Sequence, residues 1–215
     1  MKRIVFTAIM AIASLAANAQ VKVSAIVGPE VNLSLGIRAG ADIDIPISDQ
    51  LSIVPGAYWQ LRHRPTEEEA EHFLDGSVKD SEIDTQAHFI TIPVRLGIKV
   101  YESENGKAKY NVLPGLYAAY GIGGTTQTTT TEQGIKTETS CDAFGKGKRY
   151  VSRLDYGMTI GAEAIFNDHY IVGLNAECGF KRIYDPQAGL IGAIASIFPG
   201  VSTNLSLGIT FGYQF

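Results

Sequence analysis

Arg38, Asp42, Asp44, Arg62, Arg95, Lys99, Arg153, Asp155, Glu163, Glu177 and Lys181 are the residues whose types and spacing could do chemistry together. Within each local segment they are separated by even numbers of residues. A strand carries such residues on one face. Both charge signs share that face, so the set can build a salt-bridged interior or line an ion path. Asp42 and Asp44 form a pair of carboxylates, but nothing around them marks one as acid and the other as base. His88 and Ser152 are the candidates for a hydrolytic base and nucleophile at an outer rim. They fall on segments that are not neighbours, and no His-x-Ser pair is present. The two cysteines, Cys141 and Cys178, are too few for a disulfide scaffold. His63, His72, His88 and His169 lack metal-ligand spacing, so no metal and no cofactor are expected.

The elements that would position these charges read as strands of alternating character. Asn32 to Pro46 sets Leu33, Leu35, Ile37, Ala39, Ala41, Ile43 and Ile45 against Ser34, Gly36, Arg38, Gly40, Asp42 and Asp44. The same period runs through Leu51–Arg62, His88–Val100, Lys109–Ile122, Ser152–Phe166, Tyr170–Ile183 and Asn204–Phe215. Val21–Val31 is a weaker eighth strand, because Gly28-Pro29 interrupts it. Eight is an even number, as single-chain bacterial barrels require, and most runs reach the roughly 9–11 residues needed to cross a bilayer. The reading is an all-β, eight-stranded antiparallel up-and-down transmembrane β-barrel.

Alternation alone leaves open which face is outside. A secreted soluble barrel holding an apolar ligand would bury the apolar face instead. Three features favour the membrane. The polar face is rich in glycine and long charged residues, suited to a narrow interior. Trp59, Tyr110, Tyr120, Phe166, Tyr170 and Phe180 stand near strand ends, where interfacial girdles sit. Short connections (47–50, 101–108, 167–169) alternate with long ones (63–87, 123–151, 184–203). If the turn at 167–169 sets Phe166 opposite Tyr170, the same register sets Asp155 opposite Lys181.

The ends point to export. Lys2 and Arg3, an apolar run to Ala17 and the small-x-small site Ala17-Asn18-Ala19 read as a signal peptide over 1–19, leaving 20–215 as the barrel domain. The net formal charge of −4 becomes −6 once Lys2 and Arg3 leave with the leader. That balance gives no support to nucleic-acid binding. The final strand places Leu205, Leu207, Ile209, Phe211, Tyr213 and Phe215 on one face. It resembles the C-terminal strand of outer-membrane barrels, which serves as the signal for the insertion machinery. Gly208, Phe211, Tyr213 and Phe215 would carry that assembly signal.

Leu35-Gly36-Ile37-Arg38-Ala39-Gly40, Ile92-Pro93-Val94-Arg95-Leu96-Gly97, Gly157-Met158-Thr159-Ile160-Gly161-Ala162-Glu163 and Leu207 to Phe215 together resemble the small eight-stranded outer-membrane barrels. The likeness is greatest to the PorT-like, or outer membrane protein beta-barrel domain, family. The resemblance covers nearly the whole chain after the leader and implies no catalytic residues. It implies a Gram-negative outer membrane, with lipid, lipopolysaccharide and the barrel-assembly machinery as partners.

Arg38, Asp42, Arg95, Asp155, Glu163, Glu177 and Lys181 are therefore expected to fill the interior, leaving function to the outer loops. Eight strands enclose little more than side chains. One outer loop is acidic, with Glu67, Glu68, Glu69, Glu71, Asp75, Asp80, Glu82 and Asp84. The next holds the threonine tract 125–131 and the basic cluster 146–149, which could meet lipopolysaccharide phosphates. The third has the apolar run 189–198, suited to covering the mouth, entering the outer leaflet or meeting a protein partner. The expected protein is not an enzyme. Its role is structural, or adhesion, binding or secretion support through the loops. A lipid-modifying enzyme and a small porin are the alternatives.

Overall fold

The computed structural model describes residues 21–32, 34–72, 78–132, 135–145, 150–181 and 204–215. Nine strands occupy them: β1 (Lys22–Asn32), β2 (Ser34–Pro46), β3 (Leu51–His72), β4 (Val78–Glu102), β5 (Ala108–Glu132), β6 (Ile135–Asp142), β7 (Leu154–Phe166), β8 (Tyr170–Gly179) and β9 (Leu205–Gln214). Every pairing between them is antiparallel, and β9 returns to pair with β1. β4 pairs with β5 and β5 with β7, so eight strands close a ring in chain order. Closure satisfies the backbone groups that lipid cannot. β6 lies outside the ring and pairs with the far end of β5.

Side-chain exposure decides which face is out. Leu35, Ile92, Leu116, Ile160, Leu174 and Leu207 are each more than half exposed, while Arg38, Asp42, Gln60, Arg62, Asp155 and Glu177 are buried. An apolar surface wrapped right round a ring is untenable in water and natural in a bilayer. The reading of a soluble barrel with an apolar ligand inside is thereby corrected: its interior is charged. Aromatic rings gather at both ends of the apolar band. Tyr101 and Tyr110, and Tyr170, Tyr213 and Phe215, stand in contact at the short-turn end. Trp59 with His88, and Tyr156 with Phe180, stand in contact at the other.

The register of β7 against β8 is the expected one, with Phe166 opposite Tyr170 and Gly157 opposite Gly179. Its turn places Asn167 at φ 49° and Asp168 at φ 60°, a left-handed backbone these residue types tolerate. β1 runs unbroken through Gly28 and Pro29, contrary to the expected interruption. Pro29 faces outward. Gly28 lies so close to β9 that a Cβ would stand 1.9 Å from the Ile209 carbonyl oxygen.

The larger correction concerns two of the long loops. β3 has 22 residues, and β4 and β5 have 25 each, more than twice what a crossing needs. Beyond the membrane they continue as a sheet in the order β3-β4-β5-β6. From Arg62 to His72 this sheet reaches ten residues past the ring, about 30 Å at strand rise. The described parts of the acidic run, and the threonine tract, are thus strands. The apolar run 189–198, the basic cluster 146–149 and the leader lie outside the described residues.

Candidate functional site

The lumen is built by one rule: every second residue of each ring strand points into it. At its middle, Arg38 donates from Nε to Glu30 Oε2 at 3.0 Å and from Nη2 to Glu177. Gln60 Nε2 donates to Glu30 and Glu177 at 3.2 and 3.3 Å. Its own oxygen accepts from Arg62 at 2.9 Å and Thr91 at 2.6 Å. Arg62 Nη1 donates to Asp155 Oδ2 at 2.9 Å, and Tyr117 donates to the same oxygen at 3.1 Å. Nearer the short-turn end, Arg95 pairs with Asp42, which also accepts from Tyr58. Asn111 donates to Glu163 at 2.9 Å.

Among the described residues this network fills most of the waist. The gap among Arg38, Tyr58, Arg95, Glu163, Asn175 and Thr210 amounts to about 10 Å³. That is the room of roughly one water molecule. A wider cavity of about 150 Å³ opens toward the short turns, lined by Lys22, Asp44, Lys99, Lys109, Asn111 and Gln214 among others. Ion pairs this deep hold because each charge meets several partners, which offsets the cost of removing it from water.

Toward the outer mouth the described residues form an apolar cap. Ala143, Phe144 and Tyr150 pack onto Ala87, Phe89, Tyr117 and Ala119. The ring of Phe144 occupies the space a side chain at Gly121 would need, 2.3 Å from the position of its Cβ. The Arg62 guanidinium lies 4.2 Å from the centre of the Phe89 ring, joining the cap to the charged network. Arg153 fastens the cap from above, donating to the Gly121 carbonyl at 3.0 Å and to Asp142 at 3.2 Å. The apolar run 189–198 was one expected cover; the cover found among the described residues comes from Ala143, Phe144 and Tyr150.

Arg38, Asp42, Arg95, Asp155 and Glu177 thus lie buried in the lumen, with Glu163 half-buried beside them. Lys181 is the exception: it lies two residues beyond the end of β8 and is half-buried. Asp155 engages Arg62 across the lumen and Tyr117 on the adjacent β5, so the register expected for the Asp155–Lys181 pair is right while these contacts take the place of the pair. Lys99 binds Glu102 at 2.7 Å near the short turns. His88 stacks on Trp59, and Ser152 bonds the backbone of Leu154. These two are not brought together, which removes them as a catalytic pair. Both cysteines are free.

Glu30, Gln60 and Asn204 are the functional residues that charge spacing missed. Glu30 shares the inward parity of Ser24, Ile26 and Gly28, a signal lost once β1 is taken to break at Pro29. Gln60 and Asn204 carry no charge, and only their parity marks them. On the final strand Gly208 points inward, while Phe211, Tyr213 and Phe215 face lipid. Phe215 N–H donates to the Val23 carbonyl at 2.9 Å, tying the end of the chain to β1.

The outer membrane protein beta-barrel domain family matches residues 10–185. No curated protein matches the sequence. Among solved structures, the chain is similar to the attachment invasion locus protein Ail of Yersinia pestis at 10% identity, over 91% of this chain and 96% of that one, with a TM-score of 0.38. It is similar to the outer membrane enzyme PagL at 17% identity, over 90% and 98%, with a TM-score of 0.39. CarO of Acinetobacter baumannii aligns at 11% identity over 88% and 96%, with a TM-score of 0.40.

Proposed function

Because the chain belongs to the outer membrane protein beta-barrel domain family and resides in the cell outer membrane, we infer that it works through what it holds outside the membrane and not through its lumen. The observation that carries this reading is the pairing of a filled waist with a sheet continuing about 30 Å past it. A barrel serving only as a passage has no use for either. Apart from a register shift between Arg64 and Glu67, the described backbone of the sheet is an antiparallel ladder, so it costs little entropy to order on binding. Its composition is acidic and rich in hydroxyls: Glu67, Glu68, Glu69, Glu71, Asp80, Glu82 and Asp84 beside the threonines of β5. The partner such a surface suits is a basic polypeptide, held as in adhesion or as an accessory to secretion. The leader over 1–19 delivers the chain across the inner membrane. Gly208, Phe211, Tyr213 and Phe215 present the folding signal to the barrel-assembly machinery, and lipopolysaccharide surrounds the outer half.

Two measurements test this. Planar-bilayer recording of the folded protein should show no stable large conductance; a reproducible open channel restores the porin reading. Replacing residues 66–82 by a tight turn should preserve the heat-modifiable barrel and lower capture of a basic polypeptide on intact cells. The loss should match that seen for the intact protein at high ionic strength. Equal capture by trimmed and intact barrels refutes the proposal.

A further inference from the structure

Ser34, His63 and Asp84 form a chain of contacts at the outer rim that neither the lumen nor the outer sheet requires. Ser34 Oγ stands 3.2 Å from His63 Nδ1, and His63 Nε2 contacts Asp84 Oδ1. Strand pairing assembles them. His63 on β3 lies directly opposite Gln86 on β4, so Asp84 is its diagonal neighbour on the same outward face. Ser34 begins β2 opposite Asn32, on the same parity as Gly36 and Arg38, and at this rim position its half-buried hydroxyl reaches His63 on β3. The Asp84 carboxylate accepts the Nε2 proton, and this tautomer leaves the Nδ1 lone pair toward the serine hydroxyl. The sequence is nucleophile, base and orienting carboxylate, each within reach of the next. The His63 and Asp84 side chains are 30% and 33% exposed, open to a substrate yet partly withdrawn from water.

We propose that Ser34, His63 and Asp84 hydrolyse the carboxylic esters of lipids in the outer leaflet. The substrate class follows from position. On the membrane side of the triad the outward face carries Leu35 and Ile37, 67% and 39% exposed, and Trp59 stacked on His88. Level with the triad, Asp84, Gln86, His88, Thr125 and Gln127 line a half-open cavity of about 210 Å³. The boundary between these zones is where a membrane lipid holds its acyl ester. The apolar band receives the acyl chain and the polar cavity the head group.

The reaction needs only water besides the lipid. Ser34 Oγ attacks the ester carbonyl carbon as His63 Nδ1 takes the hydroxyl proton. The carbon–alkoxy bond then breaks, and His63 returns the proton to the departing oxygen. An acyl ester on Ser34 and a lipid alcohol result. Water attacks the same carbonyl and gives its proton to His63. The bond to Ser34 breaks, Oγ recovers the proton and the fatty acid leaves. Asp84 is a positioning residue, holding the imidazole and balancing its charge when protonated.

The test uses the full barrel folded into vesicles of a diacyl glycerophospholipid, with heat-modifiable mobility as the check on folding. Wild type should release free fatty acid, and a fluorophosphonate should label Ser34. Ser34→Ala and His63→Ala should each lower release by on the order of 10³-fold or more, and nearly equally, because the residues act as a unit. Asp84→Asn should fall between them and wild type. Ser152→Ala should leave release unchanged. Equal release by wild type and Ser34→Ala, or labelling that spares Ser34, overturns the proposal. Cleavage of a water-soluble p-nitrophenyl ester without fatty-acid release from vesicles overturns the lipid assignment. Hairpin trimming that removes partner capture is a separate readout, since it does not measure ester cleavage.

Discussion

The ring and the sheet that continues from it are made of the same strands in different surroundings. Within the ring, a residue of β4 such as Ile92 faces lipid and its neighbour Thr91 faces the lumen. Past the rim, both faces of β6 meet water, and Ile135 through Ser140 are all exposed. Identity of side chain is tightly constrained in the first setting and nearly free in the second. Hydrogen bonding is the same in both, so backbone structure persists where the sequence pattern stops. A strand can therefore outlast its own signature.

The sharpest way to break this comparison is to remove one charge from each region. Glu177 meets Arg38, Arg62 and Gln60 and is buried. Glu177→Ala removes one of the two carboxylates that each of Arg38 and Arg62 meets in the lumen and should cost about 3–5 kcal/mol. Glu138→Ala on β6 removes an exposed carboxylate and should stay within about 0.5 kcal/mol. Urea unfolding of the barrel in vesicles reads both. Equal effects would mean that the lumen charges are wet and interchangeable with surface ones.

The same contrast explains what the sequence disclosed. Leu33 to Ile45 against Ser34 to Asp44 announces a strand because lipid and lumen demand opposite chemistry. Ring order, strand number and the β7–β8 register followed from such runs and one turn. Thr125–Thr131 announces nothing, since water accepts threonine on either face, and so β5 was expected to end at Ile122. Asp155 was expected to meet a neighbour on the adjacent strand. In a narrow closed barrel Arg62, from the far side of the ring, is as near. Linear spacing carries no information about that third dimension. Ser34, His63 and Asp84 were invisible for the same reason: three strands bring them together, and two of the three lay in a segment read as loop.

A second substitution pair probes the outward faces. Leu116 is 60% exposed near the middle of the β5 crossing. Leu116→Arg should cost about 2–4 kcal/mol, the expected value for a charge at the bilayer midplane. Thr137→Arg, on the water-exposed β6, should be nearly neutral. Unfolding of both variants from vesicles checks this. A neutral Leu116→Arg would place that face against water or protein, contradicting the assigned lipid belt.

The smallest effect belongs to the short-turn end, where charges are paired but wet. Lys109 Nζ donates to Asp168 at 2.6 Å and lies 3.8 Å from Glu102. The hydrogen bond from Lys109 holds the Asp168 carboxyl below its ordinary range. A carboxyl whose folded pKa is depressed binds protons less readily than in the unfolded chain. Its contribution is therefore full above the unfolded value near 3.9 and is lost as pH falls through the lower folded value. The Asp168 side chain is 54% exposed, so solvent screening keeps the contribution below about 1 kcal/mol. Asp168→Asn should lower stability at neutral pH by that small amount and match wild type once pH falls below the folded value, which removes this part of the acid dependence. High salt should mimic the substitution in wild type, because counterions weaken an exposed pair. Salt should do far less to the Glu177 effect, whose charges lie behind the cap and the filled waist. Equal salt sensitivity at the two sites would show that ions reach the lumen centre.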